Sequence, residues 1–305
     1  GVADLVEAFE LGAAGIDAPV PASLREARAA QAAAAEAGIT VGINSLAQLR
    51  LAAEAGHRGT IHVKVDTGLS RNGVGREEWA PFIDELAHAV AHDGLRLGGV
   101  FSHLSNTSPD EDRAQIVAYE EFLDAVRAAN LDPGIRHLAA SAAAIDHPAA
   151  RYDMVRLGMS IYGLAPEDHH RDLPLTPAME LSAEIVHVKR VPAGSGVSYG
   201  YRYRTTQPTT LALVPLGYAD GIPRHTEGAS VSIRGVRMPV VGRVAMDQFV
   251  VDAGDHPVAV GDRAVLFGDP ASTGAPSALE WADAAGTIGY EIVTRLGRRV
   301  VRTRA

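Results

Sequence analysis

Short apolar runs alternate with helix-length amphipathic stretches along the first half of the chain, the pattern of repeated βα units around a parallel sheet. The apolar runs centre on Ala18–Val20, Thr40–Asn44, Thr60–Asp66, Leu95–Ser102, Ile135–Ser141 and Tyr152–Gly158. Helical periodicity between them predicts helices over roughly Leu24–Ala37, Ser45–Ala55, Glu77–His92 and Glu111–Ala129. Before the first run, Leu5, Ala8, Phe9, Leu11 and Ala13 already repeat at helical spacing, and Gly1–Ala3 reads as the tail of another strand. Six strands and a stub fall about one and a half βα units short of the eight that close a barrel. The expected fold class is therefore α/β, a (β/α)8 TIM-type barrel whose first βα unit is missing from the N-terminal side of this chain.

The style changes between Gly163 and Met179, where Pro166, Pro174 and Pro177 stand among charges and a His169–His170 pair, the composition of a linker. Beyond it come β-branched runs separated by Gly, Pro and Asp: Ile185–Val191, Thr210–Leu216, Ser230–Ile233, Val236–Val241, Phe249–Asp252 and Arg263–Phe267. A helix near Ser277–Ala285 interrupts them. The pattern predicts a barrel domain over 1–175 and a mostly β C-terminal domain over 178–305.

Composition narrows the function. The chain has 305 residues, 47% hydrophobic and 21% charged, and lacks any apolar run of the ~18 residues needed to span a bilayer. A net charge of −9 gives no broad basic field for a phosphate backbone, so the expected partners are small molecules rather than nucleic acid or membrane. With no cysteine there is no disulfide, cysteine-ligated metal or thiol nucleophile, and the cytoplasm is the expected location. No metal is expected: His88 and His92 share a helix face, but Ala89 stands where a metalloprotease has its Glu.

The most informative stretch is His62-Val63-Lys64-Val65-Asp66-Thr67-Gly68-Leu69-Ser70-Arg71-Asn72-Gly73-Val74. Alternation along a strand puts His62, Lys64 and Asp66 on one face, pointing into the barrel near its C-terminal end, where barrel enzymes keep their sites. A buried lysine needs a partner or a lowered charge, and Arg71 brings a second cation. Read alone, the segment leaves two arrangements open: Lys64 paired with Asp66 or another carboxylate, or Lys64 and Arg71 sharing an anion.

Lys-x-Asp-Thr-Gly-x-x-Arg-x-Gly resembles the segment of alanine racemases in which the lysine is N-carbamylated and the arginine contacts cofactor and substrate carboxylate. The resemblance implies that Lys64 is the carbamylated residue and Arg71 its partner. Further similarities follow in the family's order. His103, in Phe101-Ser102-His103-Leu104, is similar to the histidine beside the cofactor ring, and Ser141 to the serine that holds the phosphate. The family commonly has Asn where Ala140 stands, so that contact is not carried over. Val155-Arg156-Leu157-Gly158-Met159 is similar to the stretch in which the arginine faces the pyridine nitrogen and the backbone at Gly158 and Met159 approaches the phosphate. An Arg there keeps the ring unprotonated and weakens it as an electron sink, which suits a racemase.

In the second half, Ser198-Tyr199-Gly200 resembles the setting of the family's catalytic tyrosine, which reaches the partner subunit's barrel; the resemblance thus implies a homodimer. Tyr218, in Leu216-Gly217-Tyr218-Ala219-Asp220-Gly221, corresponds to a residue lining the substrate path. Met246 would lie near the substrate carboxylate, Asp247 by that path, and Tyr290, in Thr287-Ile288-Gly289-Tyr290-Glu291, against the phosphate.

What the resemblance implies is an isomerase that uses pyridoxal 5'-phosphate to interconvert L- and D-alanine by a two-base mechanism, supplying D-alanine for peptidoglycan. One departure stands out. The family holds its cofactor as a Schiff base on a lysine in a Val-Val-Lys-Ala-x-Ala-Tyr-Gly-His-Gly type segment, and this chain has no counterpart: its two lysines are Lys64 and Lys189. The missing lysine and the missing βα unit point to the same absent stretch, and the chain by itself is expected to be inactive. Two rivals are a broader amino-acid racemase acting on serine or lysine, and a non-catalytic pyridoxal-phosphate-binding relative.

Overall fold

Strand pairing in the first half is consecutive and parallel in the computed structural model, which describes residues 1–22 and 28–304. The chain divides into two compact units, Gly1–Leu157 and Gly158–Ala305.

The first unit runs α1 (Leu5–Ala13), β1 (Pro21–Ala22), α2 (Arg28–Glu36), β2 (Thr40–Ile43), α3 (Leu46–Glu54), β3 (Thr60–Lys64), α4 (Trp79–His92), β4 (Arg96–Phe101), α5 (Pro109–Ala128), β5 (Ile135–His137) and α6 (Ser141–Asp146). Its sheet has the order β1-β2-β3-β4-β5 with every pair parallel, the barrel-type βα succession that the alternation predicts. Isolated parallel bridges extend it at both ends, Val2 to Ala22 and Ala140 to Arg156. The expected strand at the opening residues is thus one bridge. The expected strand over Tyr152–Gly158 is corrected in the same way: it makes only the Arg156 bridge, because Pro148–Arg151 forms a 3-10 turn and Tyr152 takes a positive φ of 44°. The expected 24–37 helix appears as α2, with residues 23–27 outside the described part.

Both faces of β2 and β3 are buried, as a parallel sheet covered by helices requires. Val41, Ile43, Ile61 and Val63 are fully buried, and α4 adds Phe82, Ile83, Leu86 and Ala89 from one face. Helix α5 starts two residues before the sequence expectation because Ser108 caps it, its hydroxyl accepting from the Glu111 N–H at 3.2 Å, with Pro109 at the first position. Tyr119, Phe122, Leu123 and Val126 then recur at helical spacing on its buried face.

The second unit contains β6 (Leu181–Glu184), β7 (His187–Val191), β8 (Gly196–Val197), β9 (Tyr203–Arg204), β10 (Thr209–Val214), β11 (Ser230–Ile233), β12 (Val236–Val241), β13 (Phe249–Gly254), β14 (Arg263–Phe267), α7 (Pro270–Thr273), α8 (Ala278–Ala285) and α9 (Gly289–Thr294). Seven strands form one antiparallel sheet, β6-β14-β11-β12-β13-β10-β7, and β8 and β9 form a separate hairpin. Alternation is clean in β13, where Phe249, Val251 and Ala253 face the core. A capping box starts α8, Ser277 and Glu280 bonding each other's backbone N–H groups. The helix carries Trp281 into that core, where its indole N–H donates to the Leu266 carbonyl. Among the described residues no helix is long and apolar enough to cross a membrane.

Candidate active site

The residues singled out from sequence fall into two groups, one in each unit. In the first, strand β3 delivers His62 and Lys64 to the same side, both buried. Lys64 Nζ donates to Asn72 Oδ1, and Asn72 in turn donates to Asn44 Oδ1 at 3.4 Å. The chain beyond β3 folds back on itself: Val74 N–H donates to the Lys64 carbonyl at 2.9 Å, and Asp66 N–H to the Val74 carbonyl at 3.1 Å. Gly73, at φ +121°, permits this, since a Cβ there would lie 2.7 Å from the Asp66 nitrogen. The loop so formed carries an exposed Arg71.

Of the two arrangements the sequence leaves open, pairing of Lys64 with Asp66 is not what forms. Asp66 Oδ1 accepts from the Gly68 and Ser70 N–H groups at 3.0 and 3.1 Å, closing the turn, and Lys64 has no carboxylate partner among the described residues. Burial, reinforced by the charges of Arg71 and Arg156, pulls the Lys64 ammonium down to about 8.

Arg156 is the hub of the group. One terminal nitrogen, Nη1, donates to the His137 carbonyl at 2.8 Å and reaches His137 Nδ1 at 3.1 Å. The other, Nη2, donates to the Ser102 and Leu138 carbonyls at 2.6 and 3.0 Å and reaches His103 Nδ1 at 3.2 Å. These strand-end carbonyls and imidazoles fix the guanidinium without any carboxylate. Burial lowers its pKa to about 10, which leaves it a cation at neutral pH.

His137 continues the chain of contacts, its Nε2 lying 2.9 Å from His62 Nδ1. Phe101 stacks on it with ring centroids 4.8 Å apart. Space for this pair comes from Gly99, where a Cβ would sit 2.8 Å from the His62 ring. Burial first, and Arg156 second, push His103 down to about 4 and His137 to about 3. A guanidinium only donates, so Nδ1 of both rings must be the acceptor and both protons lie on Nε2. Ser141, buried, opens α6 next to Ala140 at the N-cap. Sequence reasoning noticed His62 only by its strand face, and it missed Asn72 and His137; the alternation His62-x-Lys64 was the available signal.

In the second unit, Gly158 precedes a 3-10 turn over Met159–Tyr162. A Cβ on Gly158 would collide with the Tyr290 hydroxyl. Burial raises the Tyr290 pKa, opposed by a hydrogen bond from the Met159 backbone. Gly158, Met159 and Tyr290 are thereby brought together.

Tyr199 sits between Ser198 at φ 58° and Gly200 at φ 73°, and its side chain is 69% exposed. The Ser198 hydroxyl ties this turn to the loop after β12 by donating to the Arg243 carbonyl at 2.7 Å. Tyr218 and Met246 belong to two loops joined backbone to backbone, Tyr218 N–H to the Ala245 carbonyl at 3.1 Å and Ala219 N–H to the Met246 carbonyl at 2.9 Å. Gly217 permits the approach, because a Cβ there would strike the Ala245 and Met246 carbonyls. Asp247 pairs with Arg299 at 2.8 Å. Tyr199, Tyr218, Met246 and Asp247 are all exposed.

Similarity of this chain to known proteins is specific and runs along nearly its whole length. Residues 1–166 match the family described as "Alanine racemase, N-terminal domain" and residues 178–304 "Alanine racemase, C-terminal domain". The alanine racemase of Thermobifida fusca (strain YX) is 50% identical over 311 residues, covering 99% of this chain and 83% of that protein. That of Salinispora tropica is 45% identical, covering 97% of this chain and 82% of that one. Among solved structures, the alanine racemase from D-cycloserine-producing Streptomyces lavendulae superposes with a TM-score of 0.92 at 41% identity, covering 98% of this chain and 81% of its own. The alanine racemase from Streptomyces coelicolor A3(2) gives 0.92 at 38% identity, covering 98% and 82%.

Proposed function

The chain belongs to the alanine racemase family, and we propose that it interconverts L- and D-alanine with pyridoxal 5'-phosphate as cofactor, in a homodimer. The observation that carries this reading is the cluster of Lys64, Arg71 and Arg156, cations gathered at and just beyond adjoining strand ends, none of them paired with a carboxylate among the described residues. Such a cluster calls for an anionic ligand.

The residues fit this cofactor on two counts. Arg156 is held rigidly by carbonyl and imidazole acceptors and can donate to a ring nitrogen. The missing Cβ of Gly158 lets the Tyr290 hydroxyl sit against this backbone, where Met159 also donates to it, and that hydroxyl with the backbone beside it suits a phosphate. Ser141 would add a hydroxyl to that phosphate, and His103 would lie against the ring. Covalent attachment is assigned to no residue of this chain: Lys64 is turned to Asn72, and Lys189 is exposed on β7.

When bound, pyridoxal phosphate supplies a conjugated ring that draws electrons from the substrate α-carbon and acidifies its proton. Arg156 keeps its own proton at neutral pH, so it would donate a hydrogen bond to the ring nitrogen rather than protonate it. Arg71 binds the substrate carboxylate as a fork, with Lys64, carbamylated and so anionic, holding it in place. The lowered Lys64 pKa supports this, since only the neutral amine adds carbon dioxide. Met246 adjoins the carboxylate, and Tyr218 and Asp247 line the path.

Tyr199 Oη takes or returns the α-proton on one face, with the family's cofactor lysine acting on the other, which yields inversion. Its 69% exposure on a turn tied down by Ser198 supports service to the barrel of a second subunit. Functional domains over 1–175, cofactor-binding, and 178–305, carrying Tyr199, complete the proposal. A cytoplasmic location and supply of D-alanine to peptidoglycan rest on family membership.

The test is borohydride reduction of the protein from its native source, then digestion and mass spectrometry, beside an assay of alanine, serine and lysine racemisation. The expected result is a phosphopyridoxyl group on a lysine other than Lys64 and Lys189, with alanine preferred. A label on either of those two, or none, overturns the two-base assignment.

A further inference from the structure

Arg299 occupies a position that neither the motifs nor the mechanism uses. Its Nε lies 2.9 Å from Asp220 Oδ1, and a second guanidinium nitrogen lies 2.8 Å from Asp247 Oδ1. The two carboxylates differ: the Asp220 side chain is 6% exposed and that of Asp247 58%. Asp220 is also a structural hinge-pin. Its second oxygen accepts from the Gly217 N–H at 2.8 Å, and its carbonyl from the Gly297 N–H at 2.9 Å. A carboxylate this buried is costly unless paired, and Arg299 is its cation.

The contacts therefore join three segments: the loop carrying Tyr218, the loop carrying Met246 and Asp247, and the stretch following α9. Gly221 adds to the join, at φ +102° against the Arg295 backbone, where a Cβ would not fit.

We propose that Arg299 is a positioning residue for the substrate path, its guanidinium bridging Asp220 and Asp247 and so setting the placement of Tyr218 and Met246. The inference rests on the reading of Tyr218, Met246 and Asp247 as that path. It requires a guanidinium: an ammonium is a single point of charge that can pair with Asp220 but lacks the planar fork that spans two carboxylates in fixed geometry.

The experiment uses the protein expressed from its natural gene, with Arg299→Lys, Arg299→Ala, Asp247→Asn and, as a control of equal charge loss, Arg298→Ala on the exposed neighbour. Two quantities are read: alanine kinetics, and backbone hydrogen exchange over 217–221 and 245–248. Arg299→Lys and Asp247→Asn, which spare the pairing of the buried Asp220, are expected to speed exchange in both loops and raise KM about tenfold with kcat little changed, the pattern of lost binding rather than lost chemistry. Arg299→Ala should do more of both, and Arg298→Ala neither. Unchanged exchange and KM in Arg299→Lys and Asp247→Asn overturn the proposal, as does faster exchange with KM unmoved, which makes Arg299 merely structural. Tyr218→Ala and Met246→Ala, measured alongside, separate the premises. If they raise KM while the Arg299 variants are silent, the bridge is wrong; if they too leave KM alone, the reading of the path is wrong.

Discussion

Arg156 holds His137 from two directions, donating to its carbonyl at 2.8 Å and meeting its ring Nδ1 at 3.1 Å. Burial first, and this cation second, keep the imidazole neutral. The folded pKa values of His103, about 4, and His137, about 3, lie below the ~6.5 of an unfolded histidine. Between those values the unfolded chain binds more protons than the folded one, so stability rises with pH across the window. The contribution is complete above about 6.5 and drains away as pH falls toward the folded values. Thermal melts between pH 7 and pH 4 should show this loss, with a shallower slope in His137→Asn. Imidazole resonances of His103 and His137 titrating at the ordinary histidine value count against it.

Lys64 should carry carbon dioxide. At about 8 its pKa leaves a usable neutral fraction under mildly alkaline conditions, and the adduct gives Arg71 an anion to face. Native mass spectrometry in bicarbonate is expected to show one carbon dioxide bound and lost on acidification. Lys64→Met should abolish the adduct and raise KM for alanine. An adduct that survives in Lys64→Met refutes the assignment.

Gly158→Ala should destabilise the second unit and weaken cofactor binding, because the new methyl meets the Tyr290 hydroxyl. Overpacking of this kind costs about 1–3 kcal/mol. Removing the hydroxyl opens the space, so Tyr290→Phe should recover stability in the Gly158→Ala background while costing some in the parent. That reversal of sign, read by urea denaturation, is the check. Additive losses would mean the two side chains do not meet.

Tyr199→Phe should lower kcat about 10²–10⁴-fold, the usual worth of a general acid or base. The melting temperature should barely move, since the side chain is largely exposed. In deuterated water the variant should retain exchange of the α-hydrogen for one enantiomer only. Equal exchange from both enantiomers would remove Tyr199 from the role of second base.

Much of this was legible in advance because it depends on neighbours along the chain. Strands β11, β12 and β14 lie where alternation predicts them, and α8 begins at its Ser277 cap. The Lys64–Gly73 segment announced a polar face at a strand end, and the resemblance supplied the candidates around it. The short elements were harder. A six-residue α6 and the β8–β9 hairpin carry too few residues for a period to show.

The sequence by itself determined the succession of elements, the barrel-type first half and β second half, and the family, because periodicity and short motifs are written in adjacent residues. Tertiary structure decided which polar groups meet. Asp66 turned to Gly68 and Ser70 instead of Lys64, and Tyr152–Gly158 became a single bridge at Arg156. His62 met His137 across 75 residues, and Arg299 met Asp220 across 79. Such pairings follow from sheet register, from glycines that admit a ring or a loop, and from the demand that a buried charge find a partner. None of these is a property of a local stretch of chain.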